Sequence, residues 1–520
     1  MKMSIKNKAI VASGHEAVSG VAALILEAGG NAFDAVVAAG FAGTVAEQML
    51  TSLGGGGFAL ARTADQQEIF FDFFVDTPGL GLEDAQLEPH FYPIEVDFGG
   101  STQEFNIGLG SVAVPGTLKG LLHIHERLGR MPLQEVVEPA VQLAKGHELN
   151  KVQAYFIKIL RPILEVSATG RTLYEPHGQL IQQGETLVNP ELADFLQQLP
   201  KDKGRDFYCG DIAARIAQDM HSGDGLLTAQ DLAAYKVIER KPLRVPYHGH
   251  TLLTAPDIGG TLIGLSLSLQ ERAMRFAGPI QEWGSPEHLL RTLKCMQEVE
   301  HLRKQGLTHP LALAAYRRTE QSVQRVEGVQ GSEEHSRRFN RGTTHVSVAD
   351  SQGNIASMTC SNGEGGGYFV PGTGIMLNNM MGEDDLHPDG FHAASPGQRV
   401  GSMMSPSALL HKDTVKLVLG SGGSKRIRTA LSQVLTQLVD YKRDITEAVL
   451  APRMYWDGDA EILHIEPGFD QEALQMLQEQ VKLNLWKKPD LYFGGVHTVM
   501  PGIDGVGDPR RGGSVQVVEL

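Results

Sequence analysis

Between Arg341 and Thr359 the chain reads as two short strands joined by a turn. In Thr344-His345-Val346-Ser347-Val348-Ala349-Asp350 the valines alternate with polar residues, the period of a half-buried strand. Ser351-Gln352-Gly353-Asn354 supplies turn residues, and Ile355-Ala356-Ser357-Met358-Thr359 begins a second strand. A β-hairpin is therefore expected, with Thr343 at its leading edge. Gly342 carries no side chain to obstruct attack on its carbonyl. On its own, a Gly-Thr-Thr entering a strand is ordinary β structure, and these residues alone do not choose between structure and catalysis.

The surrounding composition excludes several classes. A net charge of −15 argues against a nucleic-acid or anionic-membrane partner. No stretch reaches the roughly 18 uninterrupted apolar residues of a membrane helix. The basic start, Met1 to Lys8, is not followed by the apolar run of a signal peptide, so a cytoplasmic protein is expected. Cys209, Cys295 and Cys360 are scattered without metal spacing and read as free, buried thiols in a reducing compartment. The histidines are equally scattered, and neither metal nor cofactor is expected.

Upstream, Glu16-Ala17-Val18 opens an amphipathic helix that should stop at Gly29-Gly30. Asn31 is placed to cap a second helix, rich in Ala and Val, running to about Ala46. That helix is apolar nearly all round and should be buried. Leu53-Gly54-Gly55-Gly56-Gly57-Phe58 then precedes a strand. It lacks the Lys and Ser/Thr of a phosphate-binding loop, so its glycines are read as a loop packed against the core. Ile69 to Phe74 reads as another strand, Thr228 and Asp231 as the cap of a short helix, and 145–220 as mainly helical. The charged stretch 319–341 reads as an exposed linker.

Thr343-Thr344-His345-Val346-Ser347-Val348-Ala349-Asp350, with Gly353-Asn354 behind it, resembles the start of the small subunit of the γ-glutamyltranspeptidase family. Further matches are Gly29 to Phe58, Gly374-Ile375-Met376-Leu377-Asn378-Asn379, Ser402-Met403-Met404-Ser405-Pro406 and Gly420-Ser421-Gly422-Gly423-Ser424. The resemblance spans roughly 9–515. It implies an α+β fold, the four-layer αββα sandwich of N-terminal-nucleophile (Ntn) hydrolases. It also implies a chain cut between Gly342 and Thr343 into a large-subunit segment, 1–342, and a small-subunit segment, 343–520, that form one intertwined unit. Thr343 would then be nucleophile and new N-terminus. Its freed α-amine, with an ordinary pKa of about 7.7–8, is a suitable base for its own hydroxyl.

Carried over position by position, the resemblance puts the oxyanion hole at Gly422 and Gly423 and a hydroxyl touching the nucleophile at Ser361. Three donor contacts depart from the family pattern. Phe74 stands where an arginine grips the donor's α-carboxylate, Met403 replaces a second serine beside Ser402, and a specificity position falls on Gly363, with Asn362 or Glu364 able to serve after a small shift. The acid that holds the donor's α-amine falls on Glu383, or on Asp384 by one residue's slip. The expected activity is thus a self-processing amidohydrolase or acyltransferase, passing an acyl group from a small amide to water or an amine. Two alternatives remain: a true γ-glutamyl hydrolase/transpeptidase with rearranged contacts, for which Arg399 is a candidate, and an uncleaved, inactive relative with a binding role.

Overall fold

The hairpin forms, and it lies in the middle of a sheet. The computed structural model describes residues 8–83, 90–97, 102–276, 282–318, 342–387 and 390–520; the charged stretch 319–341 and the first seven residues lie outside these. Strand Thr344–Ala349 pairs antiparallel with Ile355–Ser361, from Thr344 opposite Cys360 to Ala349 opposite Ile355. Asp350 fixes the turn. Its Oδ1 accepts the N–H groups of Gln352 and Asn354, and its Oδ2 accepts that of Ala32, which ties the hairpin to the helix beneath.

Among the described residues, seven strands make the first sheet, in the order Ser514–Glu519, Lys8–Ser13, Thr344–Ala349, Ile355–Ser361, Gly56–Arg62, Glu68–Phe73 and Ile238–Arg240. Six make the second, in the order Asp504–Val506, Gly495–Met500, Thr414–Gly422, Ser407–His411, His250–Thr254 and Leu243–Tyr247. Both sheets draw strands from before and after Gly342.

Side-chain alternation builds the layers. Along Gly56–Arg62, Ala59 and Ala61 pack toward helices Glu16–Glu27 and Ala32–Ala46, whereas Phe58 and Leu60 enter the core between the sheets. Helices Ile258–Phe276 and Arg426–Val439 close the far side of the second sheet. The result is the helix–sheet–sheet–helix sandwich that the motifs implied.

Helix Ala32–Ala46 is buried along its whole length, as its apolar composition requires. Asn31 accepts from the N–H groups of Phe33 and Asp34, and Asp34 returns a bond to the Asn31 N–H, a reciprocal cap. Thr228 and Asp231 make the same arrangement on Ala229–Ala234. The thiols differ in part from expectation. Cys295 and Cys360 are buried, but Cys209 is exposed at the end of the short helix Arg205–Cys209. No helix among the described residues is long and apolar enough to cross a membrane.

Candidate active site

Thr343 enters the first sheet at its centre and is 4% exposed. Ser361, at the end of the neighbouring strand, stands beside it. The Ser361 hydroxyl donates to the Gly342 carbonyl at 2.6 Å and accepts from Thr343 Oγ1 at 3.3 Å and from the Gly363 N–H at 3.1 Å. On the other side of Gly342, its N–H donates to Glu364 Oε1 at 3.3 Å. Gly342 is therefore held at both its N–H and its carbonyl, with a hydroxyl on the carbonyl oxygen of the Gly342–Thr343 peptide.

The glycine loop from the second sheet closes on the same residue. A side chain at Gly422 would place its Cβ 2.3 Å from the Thr343 carbonyl oxygen, so only glycine lets the two backbones approach this closely. Arg511 Nη1 donates to that same carbonyl at 3.3 Å. Gly423 follows with φ +121°, a left-handed conformation that favours glycine. The run before Phe58 works similarly: a Cβ at Gly55 would lie 2.2 Å from the Ser361 carbonyl, which supports its reading as close-packed backbone.

Behind Thr343 is a group the sequence did not disclose. Thr344 Oγ1 donates at 2.9 Å to Glu47, the residue that ends helix Ala32–Ala46. Burial pushes the Glu47 carboxyl up to about 7, against the opposing pull of Thr344 and Arg511. Burial also lowers Arg511 to about 10 and His497 to about 4. Only their positions in space connect these residues, because they come from distant parts of the chain.

Thr343 and Ser361 form one wall of a narrow pocket. Its other walls include Phe74, Met403, Met404, Ser402, Glu383, Asp385 and Ser424. Phe74 is 1% exposed and leans on Phe58, with ring centres 5.6 Å apart. Ser402 Oγ accepts the Met404 N–H at 3.2 Å, and the Ser402 N–H donates to Asp257. Burial raises the Asp257 carboxyl to about 6.

The acidic loop places Glu383 on the pocket wall, leaves Asp384 exposed, and brings in Asp385 instead. Asp385 takes the Ser424 hydroxyl at 2.9 Å and Lys425 Nζ at 3.0 Å. A third acid in the run Glu383-Asp384-Asp385 is easily missed when helical or strand periodicity is absent. Asn362 and Glu364 are buried but are not among the residues lining the pocket. Gly363 abuts Glu383: a Cβ there would sit 2.3 Å from Glu383 Oε1. Arg399 is committed elsewhere, bonding Asp72 at 2.7 Å and Asp76 at 2.6 Å with its face over Tyr235.

The family profile described as gamma-glutamyltranspeptidase matches residues 18–518. The glutathione hydrolase proenzyme of Escherichia coli (strain K12) is 30% identical over 539 residues, covering 96% of this chain and 90% of that protein. The acylase ACY 1 proenzyme of Pseudomonas sp. (strain V22) is 29% identical over 500 residues, with 92% and 87% covered. In fold, the crystal structure of cephalosporin acylase from Bacillus halodurans superposes with a TM-score of 0.80 at 23% identity, covering 98% of this chain and 96% of that one. Motifs, sandwich and whole-length match agree: the chain belongs to the γ-glutamyltranspeptidase family.

Proposed function

We propose that the protein is a self-cleaving amidohydrolase whose nucleophile is Thr343 Oγ1 and whose acyl pocket is not built for an α-carboxylate. The observation that carries this reading is the Thr343–Ser361–Gly342 contact set, with Gly422 packed against Thr343. In the first reaction Thr343 Oγ1 attacks the Gly342 carbonyl carbon, and the Ser361 hydroxyl stabilises the charge that develops on its oxygen. The Oγ1 proton passes to the Thr343 nitrogen as the C–N bond breaks, and the acyl group moves to oxygen as an ester. Water then hydrolyses the ester, leaving a Gly342 carboxylate and a Thr343 with both hydroxyl and free amine.

In turnover the free amine takes the hydroxyl proton as Oγ1 attacks a substrate amide, and returns it to the departing amine. The Gly422 and Gly423 N–H groups receive the oxyanion; such a donor contributes about 3–4 kcal/mol. Water or an amine acceptor then takes the acyl group from Thr343.

The pocket argues against a γ-glutamyl donor. That donor carries an α-carboxylate, which needs a partner once removed from water. Phe74 and Met403 offer none, and Arg399 is held by Asp72 and Asp76. Thr343→Ala tests the nucleophile: the variant should remain one chain and hydrolyse no amide. A Thr343→Ala protein that is still cut at this bond and still active would refute the assignment.

A further inference from the structure

Glu364 does not line the pocket, yet it touches the residue on the acyl side of the proposed cut. It is 1% exposed, and its Oε1 accepts the Gly342 N–H at 3.3 Å. The turn that carries it is fixed. The Glu364 N–H donates to Asn379 Oδ1 at 3.0 Å, and the flanking Gly363 and Gly365 hold φ at +63° and +89°. Gly342 also lies close to backbone acceptors. A Cβ on it would be 2.5 Å from the Gly363 carbonyl oxygen and 2.9 Å from that of Met49. The Ser361 hydroxyl donates to its own carbonyl at 2.6 Å.

With the chain whole, this arrangement suits an uncharged peptide: the N–H meets a carboxylate and the carbonyl meets a hydroxyl. Cleavage changes the charge. Hydrolysis of the Thr343 ester adds the water oxygen to the Gly342 carbon, returns one proton to Oγ1 and releases the other to solvent. Gly342 then ends in a carboxylate beside the buried Glu364. Two carboxylates so placed oppose each other's ionisation, and a buried anion facing acceptors is costly. Arg511 is already bonded at the next carbonyl, that of Thr343, and Glu383 abuts Gly363 as a second acid. A Gly342 carboxylate that stayed would also pair with the Thr343 amine and hold it protonated, unable to act as a base.

We propose that Glu364 is a positioning residue for self-cleavage with two successive parts. It holds the Gly342 N–H while the peptide is whole, and its charge drives the Gly342 carboxylate away once the peptide is cut, which frees Thr343 for substrate. This rests on the self-cleavage reading above.

Glu364→Ala and Glu364→Gln separate the two parts. The Ala variant has no acceptor for the N–H and should self-cleave about tenfold more slowly on denaturing gels, whereas the Gln variant keeps one and should cleave within about threefold of wild type. Once cut, however, Glu364→Gln should retain its product, because its amide N–H groups can donate to the carboxylate. Its kcat/KM for butyryl and γ-glutamyl anilides should therefore fall together, by roughly tenfold. The tetrapeptide Phe-Asn-Arg-Gly, the sequence of 339–342, reads the charge directly by titration calorimetry on the self-cleaved proteins. From wild type to Glu364→Gln, the affinity of its free acid relative to its C-terminal amide should rise by about tenfold or more. An equal ratio in both proteins, or no binding of the free acid to Glu364→Gln, overturns the expulsion. Wild-type cleavage of Glu364→Ala overturns the positioning. A Glu364→Gln protein whose γ-glutamyl to butyryl ratio shifts shows instead a residue that recognises the donor, and overturns the proposal. Each of these results leaves the self-cleavage reading intact; a wild-type protein that is never cut removes both.

Discussion

The two halves of the site differ in how they handle polar groups. Around Thr343 the backbone and the next hydroxyl are held by polar partners: Ser361 on the Gly342 carbonyl, Arg511 on the Thr343 carbonyl and Glu47 on Thr344. Across the pocket, Phe74 and Met403 present a phenyl ring and a thioether, with the carboxylates of Glu383 and Asp385 on the same wall. Around Thr343 the backbones pack so closely that a Cβ at Gly422 would lie 2.3 Å from the Thr343 carbonyl oxygen, and such packing tolerates little change. A recognition wall tolerates exchange of side chains, because only the ligand's preference shifts. Chemistry and specificity can therefore part within one pocket.

The sharpest way to break the comparison is on the nucleophile side. Ser361→Ala removes the hydroxyl on the Gly342 carbonyl and should slow self-cleavage by about 10²–10³-fold, the usual cost of one oxyanion donor. Ser361→Thr, which keeps the hydroxyl, should restore most of it. Time courses of cleavage on denaturing gels give the answer, and normal processing in the Ala variant would remove Ser361 from the mechanism.

Next is Gly422→Ala. The added methyl would lie 2.3 Å from the Thr343 carbonyl, so the strand and Thr343 must separate. A loss of about 10²-fold in amide hydrolysis is expected, comparable to losing one aligned donor. Hydrolysis at the wild-type rate would show that this loop does not face the reacting carbonyl.

Glu47 gives a stability effect with a definite sign. Its carboxyl is held neutral up to about 7 by burial, whereas in the unfolded chain it ionises near 4.5. The folded protein binds the extra proton between these values, so stability falls as pH rises from 4.5 to 7 and levels off above. Glu47→Gln, in an uncleaved Thr343→Ala background, should abolish that slope, a difference of the order of 3 kcal/mol at pH 7.5. Urea titrations at pH 5 and 7.5 measure it. Parallel pH dependence in the two proteins would contradict the burial argument.

The smallest change concerns the recognition wall. Phe74→Arg should raise the γ-glutamyl to butyryl ratio about tenfold, the low end of a charged hydrogen bond. An unchanged ratio in a folded, self-cleaved variant would mean that the head group does not reach Phe74.

What the sequence revealed follows the range of the interactions. The hairpin, the capped helix from Asn31 and the glycine loop at Gly422 are legible because neighbours within a few residues specify them. Phe74 stands out through the family resemblance, which periodicity alone would not supply. Glu47, Arg511 and Asp385 were missed. Each acquires its role from contacts with residues distant in the chain, and an acid in a single 3-10 turn shows too little of a period to assign its direction. Arg399 shows the converse: its charge made it a candidate, but Asp72 and Asp76 had already claimed it.

The central claim is that cleavage before Thr343 creates the working nucleophile. Intact mass spectrometry with N-terminal sequencing of an active preparation tests it directly. The account predicts two polypeptides in place of the 56.3 kDa chain, the smaller beginning Thr-Thr-His-Val at Thr343. A fully active preparation that remains a single 56.3 kDa chain, or whose new N-terminus is a residue other than Thr343, would contradict it.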